Sequence, residues 1–179
     1  MITKEDLLGE LMRESMRHLL DPARAMFDEV TDPLDRIVRL ADLHVRKHAE
    51  ENLLSLAGDT EIRSLSPPLR REMVALRDAY QRMWEDATRD GAGRGIFQVP
   101  GVKLAAFALI EMCTGVASWY SPGGRLSLGE TARSFVKMAI GLLAGGEPSA
   151  TARRSGGPPA RQPGSDAPTP KGECRDGSS

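Results

Sequence analysis

Cysteine is scarce. The 179-residue chain has two, Cys113 in an apolar run and Cys174 in a polar stretch near the end, and no C-x-x-C spacing. That excludes a disulfide framework and a cysteine-held metal cluster, and it fits a reducing cytoplasm. A surplus of one charge is missing as well. Lys and Arg number 24 against 25 Asp and Glu, and the isoelectric point is near 6.3. A nucleic-acid-binding domain usually carries a basic balance or stripe, so no large DNA-binding surface is expected. The chain does not open on a basic segment followed by an apolar one, so no signal peptide is expected. Only Val102 to Tyr120 resembles a long hydrophobic run. It contains Lys103 and Glu111 and falls near or below the roughly 20 apolar residues that a membrane span needs. A doubly buried helix of a soluble protein is the expectation there.

Catalytic patterns are lacking too. There is no nucleophile–base pair, no paired-carboxylate motif and no phosphate-binding loop. Gly91, Gly93 and Gly95 mimic such a loop only in spacing, because no strand precedes them and no Lys-Ser/Thr follows. An enzyme is not expected, nor is a cofactor.

What is present is helical patterning. Hydrophobic residues make up 40% of the chain, enough for one core. Nothing alternates with period two as strands do, and no internal repeat occurs. Thr3 and Asp6 make a capping-box-like start, with Leu8, Leu11, Met12, Ser15 and Leu19 on one face. Asp21-Pro22 is expected to kink or restart that helix, because the residue before proline resists the α region. Asp32-Pro33 opens a second helix, whose apolar stripe runs Leu34, Ile37, Val38, Ala41, Val45 and His48. A short apolar piece follows at Leu53 to Ala57. Ser66-Pro67 opens the longest helix, with Leu69, Met73, Leu76, Tyr80, Met83, Trp84 and Ala87 buried, and the three glycines end it. Pro100 starts a helix that is apolar almost all round as far as Tyr120. Ser127 and Glu130 cap a last one that carries Leu128, Ala132, Phe135, Val136, Ala139, Leu142 and Leu143 along one face. The expectation is an all-α bundle of about six helices over residues 1–145.

Beyond it the composition shifts. The last 35 residues hold seven Gly and six Pro, and no Val, Ile, Leu, Met, Phe, Trp or Tyr follows Gly146. Such a segment cannot bury enough apolar surface to offset its ordering entropy, so residues 146–179 read as a disordered tail.

A helix that is apolar on all sides must be covered on all sides. A domain of this size has few helices to cover Val102–Tyr120, and a second copy of the chain would supply more. The small residues Ala105, Ala106, Ala108, Gly115 and Ala117 allow close approach. The last helix is the natural neighbour, so the two helices from each protomer are expected to form a four-helix bundle at a twofold axis. Ala105, Ala108, Met112, Gly115, Phe135, Ala139 and Leu142 are the expected interface.

His44 and His48 have the i, i+4 spacing that lets two histidines share a metal, yet no third ligand is evident, and a packed or solvated pair is the expectation. His48 is kept as a candidate ligand contact. Glu111, set among Phe107, Ala108, Leu109, Ile110, Met112 and Cys113, needs a partner if buried. That partner is either a bound ligand or a group across the dimer interface. Methionine is plentiful, Met73 included, and suits either an irregular pocket or a core. Tyr80, Trp84 and Trp119 carry the same two readings.

From Thr114 through Trp119-Tyr120-Ser121-Pro122-Gly123-Gly124 to Ser127, Glu130 and Leu143, the chain resembles the last two helices of TetR-like transcriptional regulators. It looks most like the branch that represses lipid and sterol catabolism in actinobacteria. Thr3-Lys4-Glu5-Asp6-Leu7-Leu8 is similar to the start of that family's fourth helix. The resemblance implies the effector-binding and dimerisation half of a repressor: a cytoplasmic homodimer sensing a hydrophobic or acyl-CoA-like molecule. It also implies that the DNA-reading helix-turn-helix belongs upstream of Thr3, leaving Lys4 as a candidate phosphate contact. The alternative is an interaction protein that heterodimerises with a full-length relative and blocks its DNA binding.

Overall fold

The structure is a computed structural model and describes residues 3–51 and 65–145. The expected apolar piece at 53–57 and the expected tail lie outside the described residues. Among these, five α-helices occur and no strand: α1 Lys4–Glu29, α2 Pro33–Glu50, α3 Pro67–Gly93, α4 Val102–Thr114 and α5 Leu128–Leu143.

The capping box of α1 is complete. Thr3 Oγ1 accepts from the Asp6 N–H at 3.1 Å, and the Asp6 carboxylate accepts from the Thr3 N–H at 2.9 Å. Pro22 neither restarts α1 nor ends it; the helix runs through it to Glu29. An internal proline costs roughly 3 kcal/mol. Leu19, Leu20 and Ala23, all buried around it, offset that loss with burial of comparable size. The far end of α1 is capped from outside. Arg36 of α2 donates through Nε to the Val30 carbonyl at 2.5 Å and through a terminal nitrogen to the Phe27 carbonyl at 3.0 Å.

Asp32 caps α2 as expected, accepting from the Asp35 N–H at 2.8 Å. α2 packs against each of the other four helices. Its buried set is therefore broader than one stripe: Ile37, Leu40, Ala41, His44, Val45 and Ala49. His44 is buried, not His48. The Ser66 side chain does not cap α3; the Ser66 N–H donates instead to Glu5 of α1 at 2.7 Å.

The last turn of α3 has no side chain at Gly91, and the Phe97 ring occupies that space. Gly95 then turns the chain at φ 71°, a left-handed conformation that suits glycine. The Gln98 N–H donates to the Leu143 carbonyl at 2.8 Å, tying this loop to the end of α5.

α4 is shorter than expected. Gly101, not Pro100, is its N-cap, and it gives way after Thr114 to a 3₁₀ turn over Gly115–Ser118. Ser127 and Glu130 cap α5 by the expected reciprocal bonds. Among the described residues no helix is long and apolar enough to cross a membrane.

Candidate functional site

Four helices turn one face each toward a cavity of about 570 Å³, within the roughly 300–1,000 Å³ common for ligand sites. α1 contributes Met12, Ser15, Met16 and Leu19, which are i, i+3, i+4 and i+7 on one face. α2 contributes His44 and His48, and α3 contributes Met73, Val74, Arg77, Asp78, Tyr80 and Gln81. Phe107, Ile110, Glu111 and Thr114 come from α4. Met12, Met16, Leu19, Met73, Val74, Phe107 and Ile110 make the apolar part of the wall, and the remaining nine lining residues carry polar groups.

Three of them, Tyr80, Thr114 and His48, gather around His44. Its Nε2 lies 2.9 Å from Thr114 Oγ1 and its Nδ1 lies 3.2 Å from Tyr80 Oη. The His48 ring stacks on it with centroids 3.9 Å apart and planes 7° apart. His48 Nδ1 is 3.0 Å from the His44 carbonyl. A carbonyl only accepts, so that nitrogen carries the proton. Burial first, and the neighbouring His48 second, hold His44 well below the ordinary histidine range. It is therefore a neutral ring at neutral pH. Burial likewise raises Tyr80 above the ordinary phenol range, and pushes the Cys113 thiol up to about 12. A thiol kept protonated in this way is a packing group, not a nucleophile.

His48, Met73, Tyr80 and Glu111, four of the residues singled out from sequence, thus meet around one cavity. Two others do not. Trp84 is fully buried behind the wall, one turn beyond Tyr80. Trp119 sits past α4, 53% exposed, with its ring stacked on Phe135 at 6.1 Å. Glu111 is exposed within the single chain, so the burial cost expected of it does not arise there. Ser15, Met16, His44, Arg77, Asp78, Gln81 and Thr114 were not picked as ligand contacts. A signal was available for several of them: polar residues one turn from buried ones on the same stripe.

The expected interface residues divide. Ala105 and Ala139 are 4% and 0% exposed and Phe135 is 8%, so these three are covered by the chain's own helices and offer no contact surface. Ala108 and Met112 are half-buried; Gly115 and Leu142 are exposed. Leu104, Trp119 and Met138 are exposed apolar residues beside them. By helical spacing Leu104, Ala108 and Gly115 share one side of the α4 segment, and Met138 and Leu142 share one side of α5. Lys4 is exposed in the first turn of α1.

Residues 30–143 match the family described as tetracycline repressor-like, C-terminal domain. The chain belongs to the TetR family. Its relatives include the HTH-type transcriptional repressor KstR2 of Mycolicibacterium smegmatis, 25% identical over 143 residues, which are 78% of this chain and 69% of that protein. Among solved structures, the TetR family regulator PfmR of Thermus thermophilus is 28% identical with a TM-score of 0.70, over 77% of this chain and 75% of that one. AibR, solved in complex with isovaleryl coenzyme A and operator DNA, shares the fold at 20% identity and a TM-score of 0.69, over 76% and 74% of the two chains. This chain is thus a TetR-family member with repressors among its relatives, and its all-helical fold is theirs.

Proposed function

We propose that these residues form the effector-sensing and dimerisation part of a cytoplasmic TetR-family repressor, responding to a hydrophobic or acyl-CoA-like molecule. The cavity carries this reading. Its size suits a small ligand, its three methionines adapt to an irregular apolar body, and the polar groups of His44, Tyr80 and Thr114 converge at one place in its wall. The isovaleryl coenzyme A held by AibR supports the ligand class. The DNA-reading helix-turn-helix is taken to lie outside residues 3–145, with Lys4 adding at most one phosphate contact.

Titration with a series of short- and medium-chain acyl-CoA thioesters tests it. The expected result is saturable binding of one ligand per protomer, weakened by Met73→Trp, which puts a larger side chain into the cavity wall. Absence of saturable binding across the series, or an affinity unchanged by Met73→Trp, overturns the reading.

The dimer is proposed to form through the exposed side of α4 and α5: Leu104, Ala108, Gly115, Trp119, Met138 and Leu142. Uncovered side by side, these residues would leave an apolar patch of the kind that marks interaction sites. Sedimentation at micromolar concentration is expected to show a dimer that Ala108→Arg splits into folded monomers. A wild-type monomer, or a dimer indifferent to that arginine, refutes the assignment.

A further inference from the structure

Three helices each place one hydrogen-bonding side chain in a line within the cavity wall. Thr114 ends α4, His44 lies in the middle of α2 and Tyr80 in the middle of α3. The two links are 2.9 Å and 3.2 Å long. His44 and Tyr80 are buried, and Tyr80 and Thr114 both line the cavity. Of the charged lining residues, Asp78 and Glu111 are exposed and Arg77 is half-buried, whereas His44, held neutral by burial, and the Tyr80 and Thr114 hydroxyls make an uncharged polar end.

A neutral imidazole has one N–H and one lone pair, and a hydroxyl has one proton to give. The line therefore has two possible directions. In the first, His44 donates to Thr114 and accepts from Tyr80, and the Thr114 proton is left over. In the second, Thr114 donates to Nε2, Nδ1–H donates to the Tyr80 oxygen, and the Tyr80 proton is left over. In both, one hydroxyl proton has no acceptor within the line. By contrast, the hydroxyls of Ser118, Thr131 and Ser134 all return to backbone carbonyls. A phenol is a stronger donor than an aliphatic alcohol, so an acceptor in the cavity favours the second direction. Among the described residues the buried Trp84 indole N–H has no hydrogen-bond partner, and an N–H has no lone pair with which to take the phenol proton.

The geometry points to Tyr80 as the residue that reads the buried end of the effector: its hydroxyl donates to a carbonyl oxygen on an otherwise apolar ligand, while His44 and Thr114 hold it in the donating direction. This rests on the effector-cavity reading above and narrows it to compounds that present a neutral carbonyl, ketone or thioester, to the His44–Tyr80–Thr114 end.

Three probes of similar size decide it: decane, 2-decanone carrying a ¹³C carbonyl, and S-ethyl thiooctanoate. A buried donor that gains its acceptor is expected to favour a carbonyl probe over decane about tenfold. The bound carbonyl stretch should fall below its value in a hydrocarbon solvent. Whichever of ketone and thioester binds tighter identifies the carbonyl source. Tyr80→Phe keeps the ring and removes the donor. It should erase the preference and restore the hydrocarbon-like stretch without weakening decane binding; a purely packing role would weaken all three probes together. Thr114→Val, which loosens the line without touching the phenol, should give a smaller loss. Equal binding of decane and both carbonyl probes, or an unshifted stretch in the wild-type protein, overturns this inference and spares the cavity reading. Binding of none of the three overturns both. Should the Phe variant fail to fold, the wild-type stretch alone decides.

Discussion

Two glycines a half-turn apart near the end of α3 should respond oppositely to alanine. In a helix interior, alanine is favoured over glycine by about 1 kcal/mol. At Gly93, the last residue of α3, an added Cβ meets nothing within 4 Å. Gly93→Ala should keep part of that gain. At Gly91 an added Cβ would overlap Cδ2 and Cε2 of Phe97 and sit 2.9 Å from its Cγ. Phe97 is buried, so the ring must be pushed out of rotamer or out of the core. Overpacking costs roughly 1–3 kcal/mol, and full loss of a buried Phe about 3–5 kcal/mol. Against the helical gain, Gly91→Ala should destabilise by about 1–3 kcal/mol. At about 2–4 °C per kcal/mol for a chain of this size, Tm should fall by roughly 3–10 °C, while Gly93→Ala leaves it level or raises it by at most about 3 °C. Thermal and urea denaturation of both variants measure this. The clash term can be isolated by repeating Gly91→Ala in a Phe97→Ala background, where it should become neutral or stabilising. Gly91→Ala equal to or more stable than wild type, or equally harmful without the Phe97 ring, would refute the packing account.

His44 is buried and its proton affinity is depressed, so protonated His44 favours the unfolded chain. Its contribution is fully present above its unfolded pKa of about 6.5 and is lost as pH falls toward the folded value. The urea midpoint should drop between about pH 7.5 and about pH 5.0, with a smaller drop in His44→Phe; equal drops would show that His44 is not the titrating group. Trp119→Ala removes the exposed ring stacked on Phe135; it should weaken self-association in sedimentation and leave ligand affinity per protomer unchanged. Deleting residues 147–179, which lack Val, Ile, Leu, Met, Phe, Trp and Tyr, should leave Tm within about 1 °C of the full chain.

Helix starts were legible because they are local. Thr3 with Asp6, Asp32 with Asp35 and Ser127 with Glu130 satisfy orphan N–H groups by contacts three residues long, and the structure contains each of them. Where a start or a stop depends on tertiary partners, spacing misleads. Pro22 sits inside α1 because its buried neighbours hold both sides of the helix. Ser66 makes no side-chain cap at the N-terminus of α3, and its N–H goes to Glu5 of another helix. One apolar stripe suffices for a helix with one partner side; with four partners, Leu40, His44 and Ala49 of α2 are buried too.

The site shows the same division more sharply. Small residues mark where helices come close, but they do not say whose helices. Ala105 and Ala139 were read as a surface for a second copy and are instead buried within the chain. Tyr80 and Trp84 share one stripe at i, i+4, yet only Tyr80 reaches the cavity, because α3 leaves the wall one turn later. The durable clue was polarity out of place. Ser15, His44 and Thr114 each interrupt an apolar face on a different helix. An unpaired buried polar group is costly, so two such interruptions on neighbouring helices are best explained by each other. His44 and Thr114, 70 residues apart, are joined at 2.9 Å. A sequence that keeps hydrogen-bonding residues on facing apolar stripes commits those stripes to meet, and the gap left beside their union is where a ligand with a single polar group can be read.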